Sequence, residues 1–148
     1  MARKLLNSDS PGGLLGRVQG VIIKSSGRVT AQTDRSAVIT SFTVGGSDGS
    51  FEVSGNVLVT ASVTHSFSLD VSYTDEGNTA RVLILPMAQL AGAFTSGGLI
   101  TNVTGATPYE SPLLHIRCKA GTAISIRPSA GTFTSVTYNA EAIIKQVV

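Results

Sequence analysis

Residues 51–73 read FEVSGNVLVTASVTHSFSLDVSY, a two-residue rhythm unbroken from Phe51 to Tyr73. The odd positions are apolar or small except His65, and the even positions between them are polar except Leu58. Successive side chains on a strand point to opposite faces, so this stretch has one dry side and one wet side. A helix would scatter the same apolar residues around its circumference. The chain is therefore read as all-β. As one straight strand, Val57 to Tyr73 would run roughly 55 Å at about 3.3 Å per residue, too long for a compact domain. A corner is expected near Val63-Thr64, and a bend at Ser54-Gly55-Asn56, where glycine interrupts the apolar series.

Outward from this segment, strand-like runs recur at short spacing. Residues 18–24, a weaker 28–33 and 37–44 precede it, closed by the turn Gly45-Gly46-Ser47-Asp48-Gly49. Asp75-Glu76-Gly77-Asn78 is a hairpin turn into residues 79–85. Pro86-Met87-Ala88-Gln89-Leu90-Ala91 suits one helical turn with proline at its first position. Further strands are expected over residues 99–103, 113–119 and 122–127, and a long one over 132–148. In that last strand Val136, Tyr138, Ala140, Ala142 and Ile144 face inward and Phe133 is out of phase, as at a bulge. Many short strands with glycine-rich turns and almost no helix specify a β-sandwich, jelly-roll-like. Residues 17–148 read as a single domain, preceded by an extended N-terminal arm over residues 1–16.

The composition sets the surface chemistry. Charged residues are 14% of the 148, against about 25% in a typical soluble domain. Serine and threonine number 34, enough to clothe outward strand positions in neutral hydroxyls. A surface so poor in charge repels its own copies weakly and tolerates close approach by a neighbouring subunit. The net charge of +2 argues for no nucleic-acid partner, and no 18-residue apolar run suggests a membrane span. Six basic residues fall in residues 1–35 against Asp9 and Asp34, whereas the rest holds five basic and seven acidic groups. The arm carries Leu5-Leu6 and Leu14-Leu15, split by Asp9-Ser10-Pro11-Gly12-Gly13, and such leucine pairs need a dry surface.

The residues give little support to catalysis. Gly45-Gly46-Ser47-Asp48-Gly49 has the G-x-S-x-G spacing of a nucleophile elbow, but the elbow needs a helix after it and Ser50-Phe51-Glu52-Val53 opens a strand. His115 and Cys118 are three apart, hence on opposite faces of a strand, and make neither a nucleophile pair nor a zinc site. With one cysteine no intrachain disulfide forms. Asp48, Asp75 and Glu76 are solvated turn carboxylates without calcium-loop spacing. Tryptophan is absent, which weakens a sugar-binding reading. No catalytic, cofactor-binding or metal-binding residue is assigned.

The segment FTVGGSDGSFEVSGNVLVT, residues 42–60, resembles a type of small virion structural protein of tailed bacteriophages. Val71-Ser72-Tyr73-Thr74-Asp75-Glu76-Gly77-Asn78 and Val136-Thr137-Tyr138-Asn139 fit the same pattern, and the resemblance covers about residues 36–148. It implies a jelly-roll sandwich that decorates and cements a phage capsid, often as a trimer. The partners implied are sister copies and the major capsid protein, and the location is the virion, assembled in the host cytoplasm. Partner-binding residues are then expected in the arm. Leu5, Leu6, Leu14 and Leu15 would be apolar anchors, with Arg3, Lys4 and Arg17 as charge partners. Two other readings stand beside it: a tail-fibre or receptor-binding knob of the same fold, and a carbohydrate-binding module or hydrolase.

Overall fold

Strand pairing follows the alternation in the computed structural model, which describes residues 20–33, 37–61, 68–89, 107–129 and 136–148. Among these residues the strands are β1 (Val21–Gln32), β2 (Thr40–Thr43), β3 (Gly49–Ala61), β4 (Leu69–Thr74) and β5 (Ala80–Leu85). They continue as β6 (Ala88–Gln89), β7 (Thr107–Glu110), β8 (Leu114–Cys118), β9 (Ala123–Pro128) and β10 (Thr137–Val147). They form a six-stranded sheet, β1-β10-β3-β7-β6 with β8 also on β3, and a four-stranded sheet, β2-β9-β4-β5. Every pairing is antiparallel.

The pairs are nested. β1 pairs with β10, β2 with β9, β3 with β8 and β4 with β5, like one long hairpin folded over itself. Successive pairs fall alternately in the six-stranded and the four-stranded sheet. That is jelly-roll topology, two interlocked Greek keys in two packed sheets. β6 and β7 lie in the connection between β5 and β8 and lengthen the six-stranded sheet beside the upper half of β3.

The core is the set of positions the alternation marks. Phe51, Val53, Val57, Val59, Leu69 and Val71 are buried, as are Val136, Tyr138, Ala140, Ala142 and Ile144. β9 contributes Ile124 and Ile126, and β8 contributes Ile116 and Cys118. Phe42 and Phe51 pack tilted, ring centroids 5.8 Å apart. At one level the interior narrows to a row of small residues, Gly27 opposite Ala142 and Ala142 opposite Gly55. A Cβ on Gly55 would lie 2.7 Å from Leu69 Cδ1 and 3.1 Å from the Glu141 carbonyl, and one on Gly27 would strike the Ile39 carbonyl.

Several expectations change. β3 runs through Ser54-Gly55-Asn56 in unbroken register with β10, so no bend occurs there. Glycine at 55 serves the close approach of the opposite sheet. The long alternating segment does divide: β3 ends at Ala61 in one sheet and β4 begins at Leu69 in the other. The expected corner at Val63-Thr64 lies outside the described residues, as do residues 99–103 and Phe133. The described parts of the runs at 18–24 and 28–33 belong to one strand, β1 (Val21–Gln32), with register shifts between Ile23 and Ser25 and between Val29 and Gln32. Ala88-Gln89 is not helical; it pairs with Glu110 and Tyr109 of β7. β7 went unread because Thr107-Pro108-Tyr109-Glu110 is short and carries a proline, and the partner strand selects it.

Candidate functional site

The two outer faces of the sandwich differ in chemistry. On the six-stranded sheet, one lateral row runs Arg28, Glu141, Asn56, Glu110, and a second runs Lys145, Glu52, His115. Arg28 Nε lies 3.2 Å from Glu141 Oε1, and Asn56 Nδ2 donates to Glu141 Oε2 at 3.4 Å. His115 Nε2 lies 3.5 Å from Glu52 Oε1. The exposed Arg28–Glu141 pair contributes little stability. Shallow grooves cross this face, lined by Ser26 and Arg28 on one side, Glu141 and Ile143 in the middle, and Ser54 and Glu110 beyond.

The outer face of the four-stranded sheet is nearly free of charge. Its rows run Ser41, Ser125, Ser72, Val82 and then Arg127, Asp70, Ile84, with Thr43, Ala123, Thr74 and Ala80 toward the hairpin end. Asp70 and Arg127 are the only ionisable groups in those rows. Burial pushes the Asp70 carboxyl above its ordinary value, against the opposing pull of a hydrogen bond from Ser129 and the charge of Arg127. Asp70 Oδ1 and Ser68 Oγ are buried without a hydrogen-bond partner. The folded chain therefore holds this proton more tightly than the unfolded one, and Asp70 weakens the fold as pH rises through its raised value. Val82 and Ile84, on the edge strand β5, are 60% and 45% exposed.

Three turns interlock at one end of the sandwich. Asp48 Oδ1 accepts from the Ala120 N–H at 2.7 Å, and the Lys119 N–H donates to the Thr74 carbonyl at 3.0 Å. Lys119 Nζ donates to Asn78 Oδ1 at 2.8 Å, and Arg117 Nη2 lies 2.8 Å from Glu76 Oε1. In the β4–β5 hairpin Asn78 takes φ 66°, a left-handed angle that asparagine tolerates. Asp75 Oδ1 accepts from the Thr79 N–H at 2.8 Å and Asp75 Oδ2 from Arg81 Nε at 2.8 Å. The Thr79 bond, then Arg81, hold the Asp75 carboxyl below its ordinary value. A depressed pKa stabilises the fold above the ordinary carboxylate range, and that contribution is lost as pH falls through the lowered value. Asp75→Ala is expected to lower Tm at neutral pH, with the gap from the native chain closing in strongly acid solution. Thermal melts across that range check it, and a gap independent of pH contradicts the assignment.

The carboxylates Asp48, Asp75 and Glu76 are thus occupied by turn and ion-pair contacts. Among the described residues no group of three or more His, Cys, Asp or Glu is placed to hold a metal. Gly45-Gly46-Ser47-Asp48-Gly49 leads into β3, so Ser47 has no helix behind it. His115 is exposed and Cys118 buried, on opposite faces of β8 as their spacing requires. Burial, with Glu76 adding to it, pushes the Cys118 thiol up to about 12, which leaves it protonated and unreactive. The arm residues Arg3, Lys4, Leu5, Leu6, Leu14, Leu15 and Arg17 lie outside the described residues, and so does His65. The exposed pair Val82 and Ile84 was missed as a surface feature. Its trace is legible in Val82-Leu83-Ile84-Leu85, where both faces of a strand are apolar.

No family model matches the chain, and no curated protein matches it. Among solved structures, the chain is similar to the CBM22-1–GH10 modules of Clostridium thermocellum endo-1,4-beta-D-xylanase 10B complexed with xylohexaose. The identity is 14% over 90% of this chain and 25% of that one, with a TM-score of 0.38. It is also similar to the structure of infectious bursal disease virus Gx strain, at 14% identity over 88% of this chain and 41% of that one, TM-score 0.26. The VP2 subviral particle of the same virus gives 14% identity, 87% and 40% coverage, and a TM-score of 0.24. The chain spans a quarter to about two-fifths of the length of these proteins. Likenesses this slight identify nothing that the chain binds.

Proposed function

We propose that this protein is a non-catalytic structural component of a virus particle, a jelly-roll module that associates with its own copies and with a capsid shell. The observation that carries the reading is the contrast between the two outer faces. One is laced with charges suited to water, and the other is hydroxyl-rich, edged by Val82 and Ile84, and carries in its strand rows only the adjacent Asp70 and Arg127 as ionisable groups. Burying neutral hydroxyls and aliphatic side chains against a neighbour costs far less desolvation than burying charges. Each bound copy adds interface that the shell must break before it opens, which stabilises the assembled state by mass action. In this reading residues 1–16 reach the capsid protein through Leu5, Leu6, Leu14 and Leu15, with Arg3, Lys4 and Arg17 beside acidic groups. A phage head is the particle proposed, on the sequence resemblance.

Immuno-electron microscopy of intact particles from the source of this sequence tests the proposal, with many labels per head expected. A few labels confined to a tail tip would favour a receptor-binding knob. Removing residues 1–16 is expected to abolish particle binding while the body keeps its thermal transition. Retained binding overturns the role of the arm. A glycan-binding reading draws support from one feature, the polar grooves beside Glu141 on the six-stranded sheet. Tyr109 and Tyr138 are buried, however, leaving no exposed tyrosine ring from those two on which a sugar could stack. Saturable binding of an oligosaccharide by a monomeric protein would favour it.

A further inference from the structure

Sheet edges are the points where a β-sandwich must defend itself, because unpaired main-chain groups there accept any passing strand. Most edges of this sandwich are blunted. β1 is broken by two register shifts, carries Lys24 and Arg28, and takes a left-handed turn at Ala31. β2 has four residues and β6 two, while β8 is short and bears His115 and Arg117. β5 has none of these devices. It pairs with β4 in regular register from Leu69–Leu85 to Thr74–Ala80, without bulge or internal proline. Among the described residues it has no strand partner on its other side. Its one charge, Arg81, is tied back to Asp75. Val82 and Ile84 stand exposed on its outer face, and half-buried Leu83 points toward the core.

We propose that β5 pairs antiparallel with β5 of a second copy across a two-fold axis at Leu83, joining the two four-stranded sheets into one eight-stranded sheet. This deepens the reading of a self-associating body and rests on it. Charge compatibility selects the occupant. In this register Val82 meets Ile84 of the partner subunit, twice by symmetry, and Arg81 faces Leu85 of the partner subunit. The two Arg81 side chains are kept about 14 Å apart at about 3.4 Å per residue, beyond the ~8 Å screening length of physiological salt. Across the junction Asp70 is separated from its own copy by Ile84 and the partner's Val82 and Ser72, so no like charges meet. β-branched pairs directly opposite each other are favourable cross-strand partners. Five paired residues per copy, Arg81 to Leu85, bury less than the ~800 Å² per partner of a standard interface, so the pairing is a concentration-dependent equilibrium in free protein. A two-fold contact also closes at two copies, in place of the three that the sequence resemblance implies.

The test uses the full-length chain. Sedimentation equilibrium is expected to show a monomer–dimer equilibrium that Val82→Lys and Ile84→Lys each abolish with Tm unchanged, while Ile23→Lys leaves it intact. Mixing Val82→Cys with Ile84→Cys under mild oxidant is expected to yield a covalent dimer, since directly opposed residues sit within disulfide reach and Cys118 is buried. An assembly that survives both lysine variants, or a mixture that gives no cross-link, overturns the strand pairing while leaving self-association standing. A chain that is monomeric at every concentration overturns both. Loss of assembly on changing Leu5, Leu6, Leu14 and Leu15 to serine would make the arm of a neighbour the occupant of this edge, and overturns the pairing.

Discussion

Gly27→Ala is expected to cost at least about 3 kcal/mol, the upper end of what overpacking normally exacts, and to leave the domain marginal or unfolded at room temperature. The added methyl would strike the Ile39 carbonyl and press on Thr40 Cβ. A side chain could swing aside, but this obstacle is backbone. The Ile39 N–H donates to the Ile126 carbonyl at 2.9 Å, and Thr40 is paired with Ile126, so moving that segment strips β2 from β9. Gly46→Ala is the matched control, because nothing lies within 4 Å of the added atom, and a change within about 0.5 kcal/mol is expected. Urea unfolding of both variants decides the matter. A Gly27→Ala protein as stable as Gly46→Ala would mean that the sheets do not meet at this level.

Phe51→Ala is expected to cost about 3–5 kcal/mol, the range for a buried aromatic cut back to a methyl. Phe51 is 1% exposed, packs against Phe42 from the opposite sheet, and supports β3 between β8 and β10. Neighbouring backbone is pinned in two ladders and relaxes little into the space left. For a domain near this size the loss corresponds to a fall in Tm on the order of 10 °C. Phe51→Leu keeps most of the volume and is expected to lose under half as much. Equal losses for leucine and alanine would show that ring packing with Phe42, and not filled volume, sets the stability here.

How legible the fold was depends on which physical effect chose each element. The alternation of residues 51–59 and 136–144 placed buried and exposed side chains correctly, because a strand with one dry face must repeat every two residues. The hairpin at Asp75 to Asn78 was equally plain, since its residue types suit the left-handed angle and the side-chain acceptor that the turn uses. Gly55 was misread as a bend. Its role depends on Leu69 and Glu141, which adjacent residues do not reveal. β6 and β7 were missed because neither has intrinsic strand character, and each exists through pairing with a neighbour distant in the chain.

The surface was partly legible too. Low charge and abundant serine and threonine pointed to a neutral exterior, but composition did not say that the charges gather on one sheet. Lateral pairing produced that division: Arg28, Glu141, Lys145 and Glu52 lie side by side only because β1, β10 and β3 are neighbours. By itself, then, the sequence determined which residues are dry, since side-chain alternation is a local property of the chain. Only the tertiary structure decided the nested pairing, the glycine-lined waist and the undefended edge at β5. Each of those depends on which strands lie side by side or face to face, a long-range choice made by the whole core at once.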